Sequence, residues 1–267
     1  MQFHDFLNTH VIFRLDEFKQ LMESREQGMT EKNCMMTLYR YCKKGRLLHV
    51  RKGLYVVANP SVYQAADISP FLIAGKATEG SILAYHTALE SHGISYTDFN
   101  EHTYIAPQRS QDFDFQNQHY RSFISQNFFH IETVLLFGIE IKRTTLERTI
   151  VDVLDRPEVS GGWEEVMRSL DHVTVFNTEM AVDYALSLGR ASAVAKLGYF
   201  LEQRPDYLQT DQKILKRLLP HIPKNPYYID RKSSSKGLGT YIKKWEIIVP
   251  TYLHQRQWEE PEHDIDY

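Results

Sequence analysis

The 267-residue sequence predicts an α+β protein in two parts, a small N-terminal module and a larger mixed α/β domain. Three observations carry this expectation. Apolar residues recur at helical spacing in two segments before residue 45, after which the period switches to that of β-structure. Beyond residue 100, segments rich in β-branched and aromatic residues give way near residue 145 to further helical patterning. Charge is divided as well: the chain carries −3 overall, yet residues 1 to 60 hold ten Lys/Arg against six Asp/Glu, and Lys32 to Ala66 contains seven basic residues and no acid. That asymmetry points to a polyanionic partner for the N-terminal part, although charge alone leaves a solvated basic face equally open.

The first element is a helix over about 15–24, since Phe13, Leu15, Phe18, Leu21 and Met22 share a stripe and Asp16 and Glu17 suit its N-terminal end. Gly28 breaks it. Thr30 is then a good N-cap for a second helix running to about Lys44 before Gly45. Cys34 or Met35, Leu38, and Tyr41 with Cys42 form its apolar side, while Lys32, Asn33, Met36, Thr37, Arg40 and Lys43 project from the other. Leu47–Val50 and Leu54–Val57 are short β-prone runs joined by Arg51-Lys52-Gly53, a tight-turn signature. Helix, turn, helix and hairpin in this order predict a winged helix-turn-helix over residues 1–66, with Asn59-Pro60 opening a connector to about Ile68.

The second part, residues 67–255, is predicted to be mixed α+β. PFLIAGKATEG and SILAYHTALESHGIS read as helical, with Leu83, Ala84, Ala88 and Leu89 buried and Gly93 as C-cap. HTYIAP, HYRSFIS, FFHIETV and the pair within LLFGIEIKR read as strands. Helices return in TLERTIVDVLDR, GGWEEVMRSL, MAVDYALSLG and ASAVAKLGYFLEQR, and two β-like segments flank a basic loop between Tyr227 and Leu253. Residues 256–267 form an acidic tail.

Composition narrows the function. Two cysteines, Cys34 and Cys42, are too few for a disulfide framework, so a reducing cytoplasm is the expected setting. The N-terminal segment lacks a signal-peptide pattern and no apolar run approaches the length of a membrane span, so no membrane partner is expected. Twelve histidines show no HExxH or Cys/His zinc-ligand spacing; no metal and no cofactor are predicted.

Read together, "KKGRLLHVRKGLYVV", "AYHTALESHGI", "TLERTIVDVLDRPEVSGGWEEV", "LGYFLEQR" and "KKWEIIVP" resemble the AbiEi antitoxins, or AbiEi-family transcriptional regulators, over roughly residues 10 to 250. The resemblance implies an N-terminal winged helix that binds repeats near its own promoter and represses transcription. It also implies a C-terminal domain that counteracts a nucleotidyltransferase-like toxin in a type IV toxin-antitoxin system of phage defence, without a stable complex. The family's "ERTIVD" helix falls on Glu147 to Asp152 and its glycine pair on Gly161 and Gly162. One departure stands out: Met35, Met36 and two cysteines occupy a helix in which more polar residues are expected.

The residues placed on double-stranded DNA are Thr30, Lys32, Asn33, Thr37, Arg40, Lys43 and Lys44 of the second helix, and Arg51 and Lys52 at the hairpin tip. Arg pairs with guanine and Asn with adenine, Thr reaches a phosphate or a thymine methyl, and the tip residues clamp phosphate. A second basic set, Arg231, Lys232, Lys236, Lys243 and Lys244, suits a partner or RNA, against the alternative of a solvated loop. No catalytic residue is assigned. The enzyme alternative is a metal-dependent nuclease using Asp112, Asp114, Glu140 and Lys142 in a D…ExK pattern, although ExK arises about once by chance in a chain of this size. A protein-binding scaffold is the third reading. In the charged helix at Glu147 to Arg156, Asp152 and Arg156 are at ion-pair spacing.

Overall fold

The computed structural model describes residues 6–7, 9–23, 30–58, 68–204, 210–230 and 238–256. The chain is α+β and divides into two compact units, Met1–Thr87 with Phe99–Thr144, and Ala88–Asp98 with Thr145–Tyr267. The boundary expected at residues 66 and 67 therefore falls inside the first unit. The connector at 59–67 and the acidic tail from 257 lie outside the described residues.

The first unit begins with β1 (Ile12–Arg14), α1 (Leu15–Glu23), α2 (Glu31–Lys43), β2 (Leu47–Arg51) and β3 (Leu54–Val57). The Arg14 N–H donates to Glu17 Oε2 at 2.7 Å, the reach-back of an acidic residue that starts a helix. β1, β3 and β2 form an antiparallel sheet in that order. The strand β1 goes unrecognised in the sequence because Phe13 also fits the stripe of α1.

Both faces of this small sheet are buried. Phe13 and Tyr55 face Phe18 and Met22 of α1 and Cys34 and Leu38 of α2. Ile12, Leu54 and Val56 face the other way, into a core with Leu72, Ile73 and Ala74 of α3 (Pro70–Lys76), Leu83, Tyr104, Tyr120 and Ile141. Two-sided burial explains why Leu54 to Val57 is an unbroken apolar run rather than an alternation. The second face of β1 and β3 is thus covered by elements beyond residue 66.

Those elements build a six-stranded sheet from β4 (Ile82–Leu83), β5 (Glu101–Ala106), β6 (Phe113–Phe115), β7 (Gln118–Ile124), β8 (Ile131–Leu136) and β9 (Ile139–Thr144), ordered β6-β7-β5-β4-β9-β8. Two of its hairpins turn on paired left-handed residues, Gln116-Asn117 and Phe137-Gly138, the conformation a two-residue hairpin loop requires. Only the second contains glycine, and β6 is correspondingly absent from the sequence reading. The helix α4 (Tyr85–His92) follows β4 and ends at Gly93, whose φ is +72°.

The second unit packs α5 (Leu146–Asp155), α6 (Trp163–Asp171), α7 (Thr178–Ser187), α8 (Ala191–Glu202) and α9 (Gln212–Leu218) around one apolar core. A three-stranded sheet of β10 (Tyr227–Tyr228), β12 (Ile247–Pro250) and β11 (Gly239–Ile242), in that order, supplies Ile247 and Val249 to the core. Thr145 caps α5, and Gly161 and Gly162, at φ +83° and +91°, make the left-handed entry into α6 that a side chain would strain. The sequence expectation for the charged helix needs correction. Asp152 pairs with Arg148 one turn earlier, Nε to Oδ2 at 3.1 Å, and accepts from the Tyr184 hydroxyl at 2.8 Å, while Arg156 pairs with Glu158. The pair is drawn inward because Arg148 and Asp152 lie on the buried side of α5, whereas Arg156 lies past its end.

Candidate nucleic-acid interface

The N-terminal end of α2 is set by Thr30, whose hydroxyl oxygen accepts from the Asn33 N–H at 3.4 Å. Cys34 and Leu38 anchor the helix to the core. Burial pushes both the Cys34 and Cys42 thiols up from their ordinary value, so neither is a thiolate at neutral pH.

At 100° per residue, the direction opposite Cys34 and Leu38 belongs to Met36. Lys32, Tyr39 and Lys43 lie to one side of it, Asn33 and Arg40 to the other. All six are exposed, and Thr37 at the margin is half-buried. Lys44, exposed at the C-terminal end, donates its backbone N–H to Arg40 and Cys42 carbonyls. The sole acid of the helix, Glu31, is paired with Lys19 at 2.6 Å. The outward face is thus cationic with an apolar centre: Met36 is 48% exposed and Tyr39 56%, with the Lys43 ammonium 5.7 Å from the Tyr39 ring. Arg46 and His49 are exposed beyond the helix. Sequence reasoning passed over Tyr39, Arg46 and His49; the shared feature that identifies Tyr39 is its spacing from Met35, Met36 and Lys43.

The hairpin tip separates Arg51 from Lys52. Lys52 is exposed in the turn, next to Gly53 with φ +80°. Arg51, expected on phosphate, is instead held internally: its Nη1 donates to Ser110 Oγ at 2.8 Å, to Tyr104 Oη at 3.1 Å and to the Gln111 carbonyl at 3.3 Å, and its guanidinium lies 4.6 Å from the Phe113 ring centroid. The cause is a register shift between His49 and Arg51 in the β2–β3 ladder, which turns Arg51 to the same side as Val50. Arg51→Ala is therefore expected to cost about 1–3 kcal/mol in chemical denaturation through lost charge-assisted hydrogen bonds. Lys52→Ala is expected to stay within about 0.5 kcal/mol of the parent.

The remaining expected sites are dispersed. Arg231, Lys232 and Lys236 lie outside the described residues. Lys243 is exposed, but Lys244 pairs with Glu202, whose other oxygen accepts from Trp245 Nε1 at 2.6 Å, so Lys244 serves the packing of the second unit. The nuclease pattern is not assembled. Asp114 lies on the edge strand β6 and Glu140 on β9, four strand intervals apart, about 19 Å at the usual strand spacing. Asp112 is taken by the Ser122 N–H at 2.9 Å and Asp114 by His119 at 2.8 Å. Among the described residues no group of three or more His, Cys, Asp and Glu is placed to hold a metal, and no helix is long and apolar enough to cross a membrane. The second unit has a cleft of about 530 Å³ whose lining includes Pro157, Glu158, Trp163, Tyr227, Tyr228 and Asp230.

No family model matches the chain, and no curated protein matches it. Among solved structures the chain is similar to the crystal structure of the RV2827C protein from Mycobacterium tuberculosis, at 13% identity and a TM-score of 0.65, over 96% of this chain and 93% of that one. At that identity the likeness extends to the fold: an α+β arrangement followed along almost the whole of both chains.

Proposed function

We propose that the chain is a DNA-binding transcriptional repressor in which β1 to β3 with α1 and α2 act as a winged helix-turn-helix. The observation that carries this reading is the outward face of α2. Lys32, Asn33, Arg40 and Lys43 are exposed together, the only acid on the helix is neutralised by Lys19, and the hairpin that follows carries an exposed Lys52 at its tip. A helix of this kind suits the major groove, with Asn33 and Arg40 at base edges and Lys32, Lys43, Lys44 and Lys52 at phosphates. The resemblance of the sequence to the AbiEi antitoxins supports the fuller reading. In it the chain represses its own promoter in the cytoplasm and counteracts a nucleotidyltransferase-like toxin without a lasting complex.

Fluorescence anisotropy with duplexes tiled across the promoter of the chain's own gene tests the first half. Affinity is expected to fall steeply between about 50 and 200 mM salt, and Lys43→Ala and Lys52→Ala each to flatten the logarithmic salt slope by about 1. Arg51→Ala is expected to leave that slope unchanged. Duplex binding with no salt dependence, or none at low salt, overturns the reading in favour of a protein-binding scaffold. Coexpression with the product of an adjacent nucleotidyltransferase-like gene tests the second half, through restored growth without co-purification.

A further inference from the structure

The centre of the α2 face is apolar, and phosphate contact does not account for it. Met36 points directly away from the core, Asn33 and Arg40 flank it at i−3 and i+4, and Tyr39 lies at i+3. Met36 and Tyr39 are each about half exposed, so both offer apolar surface outward. In the major groove the group that such a surface can cover is the C5-methyl of thymine, the one apolar feature presented there by any base pair. An A·T pair presents that methyl on the same groove edge as the adenine N6 and N7 atoms, which suit Asn33, one helical turn from Met36. The face therefore matches both halves of one pair: the amide for the adenine edge and the thioether side chain for the methyl.

We propose that Met36, with Tyr39 beside it, reads thymine methyl groups, so that the preferred site centres on A·T pairs contacted through their methyls. This rests on the DNA-binding reading given above and extends it to specificity. Methionine is suited to the role because its unbranched thioether adapts to a methyl whose position varies with local groove shape. The lysines around it add affinity without sequence information, so the apolar centre, Asn33 and Arg40 carry the choice of base.

The test uses the full chain and duplexes enriched by it from a random 20-base-pair library. The top sequence is synthesised with thymine replaced by deoxyuridine one position at a time, a change that removes only the methyl and keeps base pairing. Deoxyuridine at one or two central positions is expected to weaken binding about fourfold for each methyl buried. Met36→Ala, at an exposed position that leaves folding intact, is expected to weaken the thymine duplex by a similar factor and abolish the thymine/deoxyuridine difference at one of them. Lys52→Ala is expected to weaken both duplexes equally and keep the difference. Salt-sensitive binding with no thymine/deoxyuridine difference at any position, or a difference that survives Met36→Ala, overturns the role of Met36 and leaves DNA binding standing. Failure of any duplex to enrich or bind overturns both, and assigns the apolar face to a protein partner.

Discussion

Gly198→Ala is expected to destabilise the second unit by about 3 kcal/mol net, the upper part of the range for overpacking a core. A Cβ on Gly198 would sit 2.2 to 2.5 Å from Cζ3, Cη2 and Cε3 of Trp245, whose ring is fully buried. The ring has no room to retreat, since Trp245 Nε1 is fixed to Glu202 Oε2 at 2.6 Å, one turn further along the same helix. In an open helix the same change would stabilise by about 1 kcal/mol, so the sign itself is diagnostic. Urea denaturation followed by tryptophan fluorescence measures it. In a Trp245→Leu background the alanine is expected to become neutral or favourable, because the atoms it would strike are gone. A Gly198→Ala protein as stable as the parent would show that α8 and Trp245 do not pack this closely.

Asp152→Ala is expected to cost about 3–5 kcal/mol, the usual penalty for removing one partner of a buried ion pair. Arg148 is almost wholly enclosed, its Nε donates to Asp152 at 3.1 Å and its guanidinium lies 5.4 Å from the Tyr184 ring centroid, so losing the carboxylate removes the anion that balances a buried cation. Burial raises the Asp152 carboxyl above its ordinary value, and Arg148 and Tyr184 work against that shift. These partners favour the charged form, and burial, the larger influence, disfavours it. Replacing both charges, Arg148→Met with Asp152→Leu, is expected to cost far less than either single change, since desolvation is relieved along with attraction. Tyr184→Phe removes one hydrogen bond and is expected to cost about 1 kcal/mol. Equal denaturation midpoints for Asp152→Ala and the parent would contradict the buried pair.

Much of the fold was legible locally. Thr30 caps α2, α5 begins within a residue of the point where helical patterning returns, the helix Leu15–Glu23 starts and ends within a residue of expectation, and β2 and β3 lie where the period changes. Each depends on interactions spanning a few residues, which composition and spacing encode directly. Part of the α2 face was legible for the same reason; the structure chose Cys34 over Met35 for the buried side and added Tyr39 to the outward one.

What escaped the sequence depends on partners distant along the chain. Alternation cannot reveal the register shift that turns Arg51 from the open side of the hairpin toward Tyr104 and Ser110, more than fifty residues away. Nor does an ExK triplet disclose that Asp114 and Glu140 occupy strands four intervals apart in one sheet. The sequence by itself determined the α+β class, the basic segment, the Thr30 cap and the outward Lys32, Asn33, Met36, Arg40 and Lys43 of α2, because helix periodicity, charge and turn chemistry act locally. Tertiary structure alone decided that β1 and β3 are buried on both faces, that Arg51 serves the fold while Lys52 stays free to meet a partner, and that Arg148 rather than Arg156 neutralises Asp152. Those outcomes follow from which surfaces must leave water together, and that is fixed only when the whole unit closes.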